Sequence, residues 1–169
     1  QGSRRAYASQ DLAGGWRTAI APDLKAFIIA QTSVFLATAS ADGQPCIQHR
    51  GGSASFLPVI EGRLVGASDV AGNRQFITSG NLVENPTAHL LMIDDAQRSR
   101  IKVWGTARGV EGDGDLTPHL MPVARKARAE RVIVFTLSVW DSNCPQHIPQ
   151  WIDAAAVALA LAARDNRIA

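Results

Sequence analysis

The chain has 169 residues, 46% of them hydrophobic and 19% charged, which suits one folded domain with its own core and excludes a disordered tail. Seventeen basic residues against fifteen acidic ones leave a net charge of +2, short of the one-sided excess of a nucleic-acid module. Two cysteines, Cys46 and Cys144, build neither a disulfide framework nor the repeated ligand pairs of a zinc site.

The first twenty residues are polar and interrupted by glycine, with Arg4, Arg5, Tyr7, Trp16 and Arg17. They read as an arm (residues 1–21) lying on the domain or on a partner. Pro22 opens a helix whose Leu24, Phe27, Ile28 and Gln31 share a buried face. Ser33 to Ala39 reads as a strand, Ala41-Asp42-Gly43-Gln44 as a hairpin turn and Pro45 to Arg50 as the returning strand.

Two short strands follow at 56–60 and 63–67. A helix is predicted over Asn73 to Val83, with Phe76, Ile77 and Leu82 on one side, ending before Asn85-Pro86. Ala88–Ile93 and Ile101–Val110 read as strands, Asp113 to Ala129 as a helical excursion and Arg131 to Val139 as the last strand. Pro149 starts an Ala-rich terminal helix. Strands joined by tight turns, with helices at the edges and no βαβ alternation, predict an α+β fold around an antiparallel sheet closed into a barrel. The domain spans residues 22–150 and the closing helix 151–169. The apolar run Ala154–Ala163 is ten residues between Asp153 and Arg164, too short to cross a bilayer. No charged-then-apolar leader opens the chain, and the expectation is a soluble, cytoplasmic protein that binds neither membrane nor nucleic acid.

Fourteen of the seventeen basic residues are arginine. That bias suits bidentate contacts to phosphate or carboxylate, and an Arg-rich genome produces it too. Polar residues gather at four places. Gln48-His49-Arg50-Gly51-Gly52 ends the second strand, where two glycines let a ligand approach the backbone or simply make a turn. Ser68-Asp69-Val70-Ala71-Gly72-Asn73-Arg74-Gln75 joins a strand end to a helix start, which is a phosphate seat or an ordinary capped helix. Arg98, Arg100 and Lys102 at spacing two share one strand face, turned to an anion or protecting an edge. Trp140 to Pro149 is dense in donors, acceptors and prolines and reads as a fixed binding wall. Its Cys144 and His147 have C-x-x-H spacing without a second ligand pair or an orienting acid, which disfavours a metal, a heme or a Cys–His catalytic pair.

Taken together, and with Asp42-Gly43-Gln44-Pro45, Asn81-Leu82 and Asn85-Pro86, these blocks resemble the pyridoxamine 5'-phosphate oxidase-like family over roughly residues 24 to 150. The Asn143-Cys144-Pro145-Gln146-His147-Ile148 run looks like one bacterial branch of it. The resemblance implies a six-stranded antiparallel split β-barrel with peripheral helices, working as a homodimer with FMN at the subunit interface. By the same resemblance, Gln48, His49, Arg50 and Gly51 run along the flavin ring and ribityl chain. Ser68 and Asp69 lie near the ribityl–phosphate end, and Asn73, Arg74 and Gln75 hold the phosphate. Arg100 and Lys102 reach the cofactor from the other subunit, and Trp140, Asn143, Gln146 and His147 wall the ring.

Hydride transfer at flavin N5 needs positioning rather than a protein nucleophile, in keeping with the lack of a Ser–His–Asp or paired-carboxylate pattern. The expected activity is an FMN-dependent oxidoreductase acting on a small molecule. A pyridoxal phosphate-forming oxidase is the neighbouring reading, although the family's Arg-x-His element is replaced here by Gln146-His147. A non-catalytic flavin, deazaflavin or heme binding module is the alternative from another class. More apolar surface on the barrel and terminal helix than one small domain covers also points to a dimer.

Overall fold

The computed structural model describes residues 15–60, 64–70, 76–110, 129–143 and 146–167, and only the backbone at 64–70, 129–131 and 143. Helix α1 (Pro22–Ala30) has proline in its first turn and buries Leu24 and Ile28. Gln31, next in that row, is buried too and spends its amide on the Phe27 carbonyl at 3.2 Å. Strands β1 (Ser33–Ala39) and β2 (Pro45–Gly51) pair antiparallel. At their turn Gly43 takes φ +89°, and its amide donates to the Ser40 carbonyl at 3.0 Å. The Ser40 hydroxyl donates to Asp42 and holds that carboxyl below its ordinary value.

Phe56 and Leu57 plug the core from a loop before the two-residue β3 (Val59–Ile60), which pairs with β4 (Leu64–Val70). Helix α2 (Ile77–Glu84) follows, then β5 (Thr87–Asp94), β6 (Ser99–Val110), β7 (Ala129–Asn143) and α3 (Ala154–Asp165). All pairings are antiparallel, in the order β2-β1-β5-β6-β7-β4-β3. Six of these strands have seven residues or more and form the split barrel.

Alternation in β1, β5 and β6 sends Val34, Leu36, Leu90, Met92, Ile101 and Val103 into one core. Leu57, Phe135 and Trp140 join them there. Where β6 meets β7 the register slips between Trp104 and Gly105. A side chain at Gly105 would overlap the Thr136 carbonyl and stand 2.8 Å from the Phe135 ring, so the bulge closes only on glycine.

Several expectations are corrected. In α2 the buried residues are Thr78, Ser79, Asn81 and Leu82, whereas Phe76 and Ile77 are exposed. The helix lies on a barrel rim that offers Gln48 and Thr38, so it turns its hydroxyls and amide inward. Strand β7 runs on through Trp140 to Asn143 because β6 supplies partners that far. Arg98 sits in the β5–β6 turn rather than on the strand. The terminal helix begins at Ala154, capped by the Asp153 carboxylate, which accepts from the amides of Ala155 and Ala156. The expected excursion after Asp113 lies outside the described residues, apart from Ala129, which opens β7. Among the described residues no helix is long and apolar enough to cross a membrane.

Candidate functional site

Strand alternation splits the Gln48–Gly51 block between two faces. Gln48 and Arg50 stand opposite the buried Leu36 and Val34, and so face inward. The Gln48 amide oxygen accepts from the Thr78 hydroxyl at 2.6 Å, and the Asn81 amide donates to the Thr38 hydroxyl at 3.0 Å. These two bonds pin α2 across the mouth of the barrel. The Ser79 hydroxyl beside them is buried without a partner among the described residues. Arg50 reaches into a narrow cavity lined by Val34, Leu36, Leu57, Leu90, Ile133 and Phe135. The space over Gly52 is taken by Phe56, whose Cβ would be 2.6 Å from a Gly52 side chain. The close approach foreseen there for a ligand is therefore made by the chain itself.

His49 points outward. Its Nε2 shares a 2.8 Å hydrogen bond with the Ser33 hydroxyl, and its ring meets Phe35 edge-on at 5.6 Å. The same outer face carries Arg100, Lys102 and Trp104 on β6. Their neighbours are Ile93, Leu91 and His89 on β5 and Asn143, Asp141 and Val139 on β7. The register thus unites two blocks forty residues apart in sequence. Arg100 Nε is buried with no hydrogen-bond partner among the described residues, a donor left over for something else. The Lys102 ammonium lies 5.3 Å from the centre of the Trp104 ring, against which His89 packs edge-on at 4.9 Å and Trp16 at 6.2 Å. His89 Nε2 is also buried with no hydrogen-bond partner among the described residues. Burial, and then the Lys102 charge, hold its pKa below the ordinary 6.5.

Arg98 departs from this row. It adopts φ +53° in the turn and donates from Nε to the Ile148 carbonyl at 3.1 Å. Trp140 departs as well, since it faces the core and is only 2% exposed. The Arg17 guanidinium lies over its ring at 4.5 Å, and its indole N–H donates to the Ala19 carbonyl at 3.0 Å. In this protomer Trp140 anchors the N-terminal segment and offers no free ring face. Gln146 and His147 form an exposed turn, with His147 at φ +65°. Ile148 and Gln150 then fasten the chain to the β5–β6 turn, the first through the carbonyl that accepts from Arg98 and the second by a 2.9 Å bond from its amide to the Ala96 carbonyl.

Asn73, Arg74 and Gln75 lie outside the described residues, as does Cys144. Ser68 and Asp69 pair with Val132 and Arg131 at one end of β7, whereas Arg100 pairs with Asn143 at the other. The two ends stand eleven residues apart, roughly 36 Å at the usual strand rise. One protomer therefore does not bring Ser68 and Asp69 next to Arg100 and Lys102. Among the described residues no group of three His, Cys, Asp or Glu side chains is placed to hold a metal ion. Sequence reasoning gave no role to Thr78, to Asn81, which it quoted only within the Asn81-Leu82 block, or to His89. A buried helix face made of Thr, Ser and Asn was the available signal for the first two, and the outward position of His89 between apolar strand residues was the signal for the third.

Solved structures with the same fold include a protein related to general stress protein 26 of Bacillus subtilis (pyridoxinephosphate oxidase family), from Clostridium acetobutylicum. It has a TM-score of 0.56 and 14% identity over 80% of this chain and 94% of that one. HupZ of Group A Streptococcus has a TM-score of 0.55 and 16% identity, over 79% and 99%. An FMN-binding protein from Syntrophomonas wolfei has a TM-score of 0.53 and 14% identity, over 71% and 83%. No curated protein matches the chain by sequence. A family model described as pyridoxamine 5'-phosphate oxidase matches residues 20–144, most of the barrel and its β6–β7 face, and the chain belongs to that family.

Proposed function

We propose that the protein binds FMN as a homodimer and passes a hydride or electrons between FMN and a small molecule. The observation that carries this reading is the outer face of β6. Arg100 presents a buried Nε with no partner among the described residues, and Lys102 stands two residues along the same face. Such donors fit an anionic group, and FMN brings both a phosphate and a ring that becomes anionic on reduction. The separation of Ser68 and Asp69 from Arg100 and Lys102 along β7 supports the second subunit, because two copies supply both sets to one cofactor.

Bound FMN supplies the redox chemistry through its ring. Arg100 and Lys102 hold negative charge against the outer face, and Trp104 with His89 gives that face an apolar floor that excludes water. By family resemblance Arg74, with Asn73 and Gln75, holds the phosphate. Gln48 has its amide oxygen committed to Thr78, and acts by fixing the helix that follows Arg74. The reaction is read as an oxidoreduction that needs no protein nucleophile.

The test is FMN titration followed by quenching of flavin fluorescence, with riboflavin alongside. Saturable FMN binding is expected. Arg100→Ala weakens it by about tenfold or more, the worth of a charge-assisted hydrogen bond. Arg74→Ala is expected to weaken FMN while leaving riboflavin unchanged. Absence of saturable quenching by the unaltered protein overturns the reading.

A further inference from the structure

Helix α3 has twelve residues, and not one of them is buried. Its run from Ala154 to Ala163 is entirely apolar, with Leu159 at 75% exposure and Val157 and Leu161 above 40%. A helix that is apolar all round belongs inside something, and one this short does not persist alone in water. Its root is nevertheless fixed, because Ile148 is buried and Gln150 bonds to the Ala96 carbonyl just before it.

The same chain exposes a surface that matches this helix. On the outer face of β1 and the edge strand β2, Phe35, Ala37 and Ala39 alternate beside Ile47, which is 68% exposed. The alanines make a shallow trough between larger flanks, which an Ala-rich helix enters closely. The lengths agree, about 18 Å for twelve helical residues against about 23 Å for a seven-residue strand. The polar groups at the two ends agree as well. His49 lies at the end where β2 finishes, and Asp42 lies at the opposite turn, where Glu84 accepts from the Ala41 amide at 3.3 Å. The helix has Asp153 at its start and a net positive finish, where Arg164 pairs with Asp165 at 2.8 Å and Arg167 adds a further positive charge.

We propose that α3 is an exchange arm. It lies along the outer β1–β2 face of a second copy of this chain, with its start toward His49 and its finish toward Asp42 and Glu84. Two copies give each other a helix and a trough, so the contact is self-complementary and closes at two. The trough continues through Leu91, opposite Phe35, to Lys102. The arm thus borders the face on which the proposed dimer holds its cofactor, and it refines that dimer without depending on flavin.

The experiment uses the full chain in two differently tagged copies with Cys46→Ser and Cys144→Ser. One copy carries Ile47→Cys and the other Leu159→Cys. Mild oxidation of the mixture is expected to join the two tags. In the otherwise unaltered chain, Val157→Glu with Leu161→Glu is expected to lower the dimer fraction at micromolar concentration at least tenfold by light scattering. Far-UV circular dichroism verifies that the strands remain. A monomeric unaltered chain overturns the proposal, as does a dimer indifferent to those glutamates. Failure of the two tags to join, while a single chain made with both Ile47→Cys and Leu159→Cys closes its disulfide internally as a monomer, overturns it too. FMN titration of the same samples separates the two readings. A cross-linked dimer without FMN binding upholds the arm and removes the flavin, and an FMN-binding protein whose arms do not cross-link does the reverse.

Discussion

Gly105→Ala is the most demanding substitution on this fold. The added Cβ overlaps the Thr136 carbonyl and comes 2.8 Å from the Phe135 ring, against a comfortable carbon–carbon distance of about 3.5–4.0 Å. Neither neighbour has an easy escape. Thr136 is backbone of β7, held on one side by Thr106 and on the other by Leu64, and Phe135 is a core residue. Overpacking of a core costs about 1–3 kcal/mol, and prising two strands apart at a bulge forfeits about 1 kcal/mol more per hydrogen bond. A loss of roughly 3 kcal/mol lowers the Tm of a domain this size by about 6–12 °C. Urea unfolding followed by tryptophan fluorescence, with thermal unfolding by circular dichroism, measures both quantities. A variant within about 0.5 kcal/mol of the unaltered protein, the range of an inconsequential surface change, refutes the close approach of β6 and β7.

Gly80→Ala is the opposite case: the position lies in α2, where an added Cβ meets open space, and the change is expected to raise stability by about 0.5–1 kcal/mol in the same urea assay. Thr78→Val removes the hydroxyl that Gln48 accepts from. It should cost about 1 kcal/mol, and a double-mutant cycle with Gln48→Ala should return a coupling above about 0.5 kcal/mol. His89 has a folded-state pKa below 6.5, so the folded protein resists its protonation. Its contribution to stability is complete above pH 6.5 and is lost as the pH falls below that value toward the folded-state pKa. Urea midpoints measured downward through this window should decline, and His89→Phe should flatten the decline.

The strands were legible because alternation is a local signal, as in β1 and β5, where every second residue is buried. The Asp42-Gly43 turn was legible for a similar reason, since its geometry asks for a residue free to take positive φ. Trp140 was misplaced because its polar neighbours look like a loop, while the partner that makes them a strand is β6, far away in sequence. Arg98 shares the spacing of Arg100 and Lys102, and only the turn geometry removes it from their face. The inward turn of Thr78 and Asn81 depends on hydroxyl and amide partners across the barrel mouth, which no helical period announces.

The position of β7 governs how the molecule can be assembled. Among the described residues it alone pairs with both β6 and β4, and so joins the strand set β2-β1-β5-β6 to the small β3–β4 hairpin. During synthesis β4 leaves the ribosome long before β7, and until then its strand partner among the described residues is the two-residue β3. Its other edge, with apolar Leu64 and Val65, is an open template for wrong pairing, the usual hazard of an uncovered strand. The pairing of β4 waits for residues 129–136 to emerge, and the late, long-range pairing makes folding slow for the size of the chain. Chaperone dependence in this protein would therefore centre on β4, the element that waits longest for its neighbour.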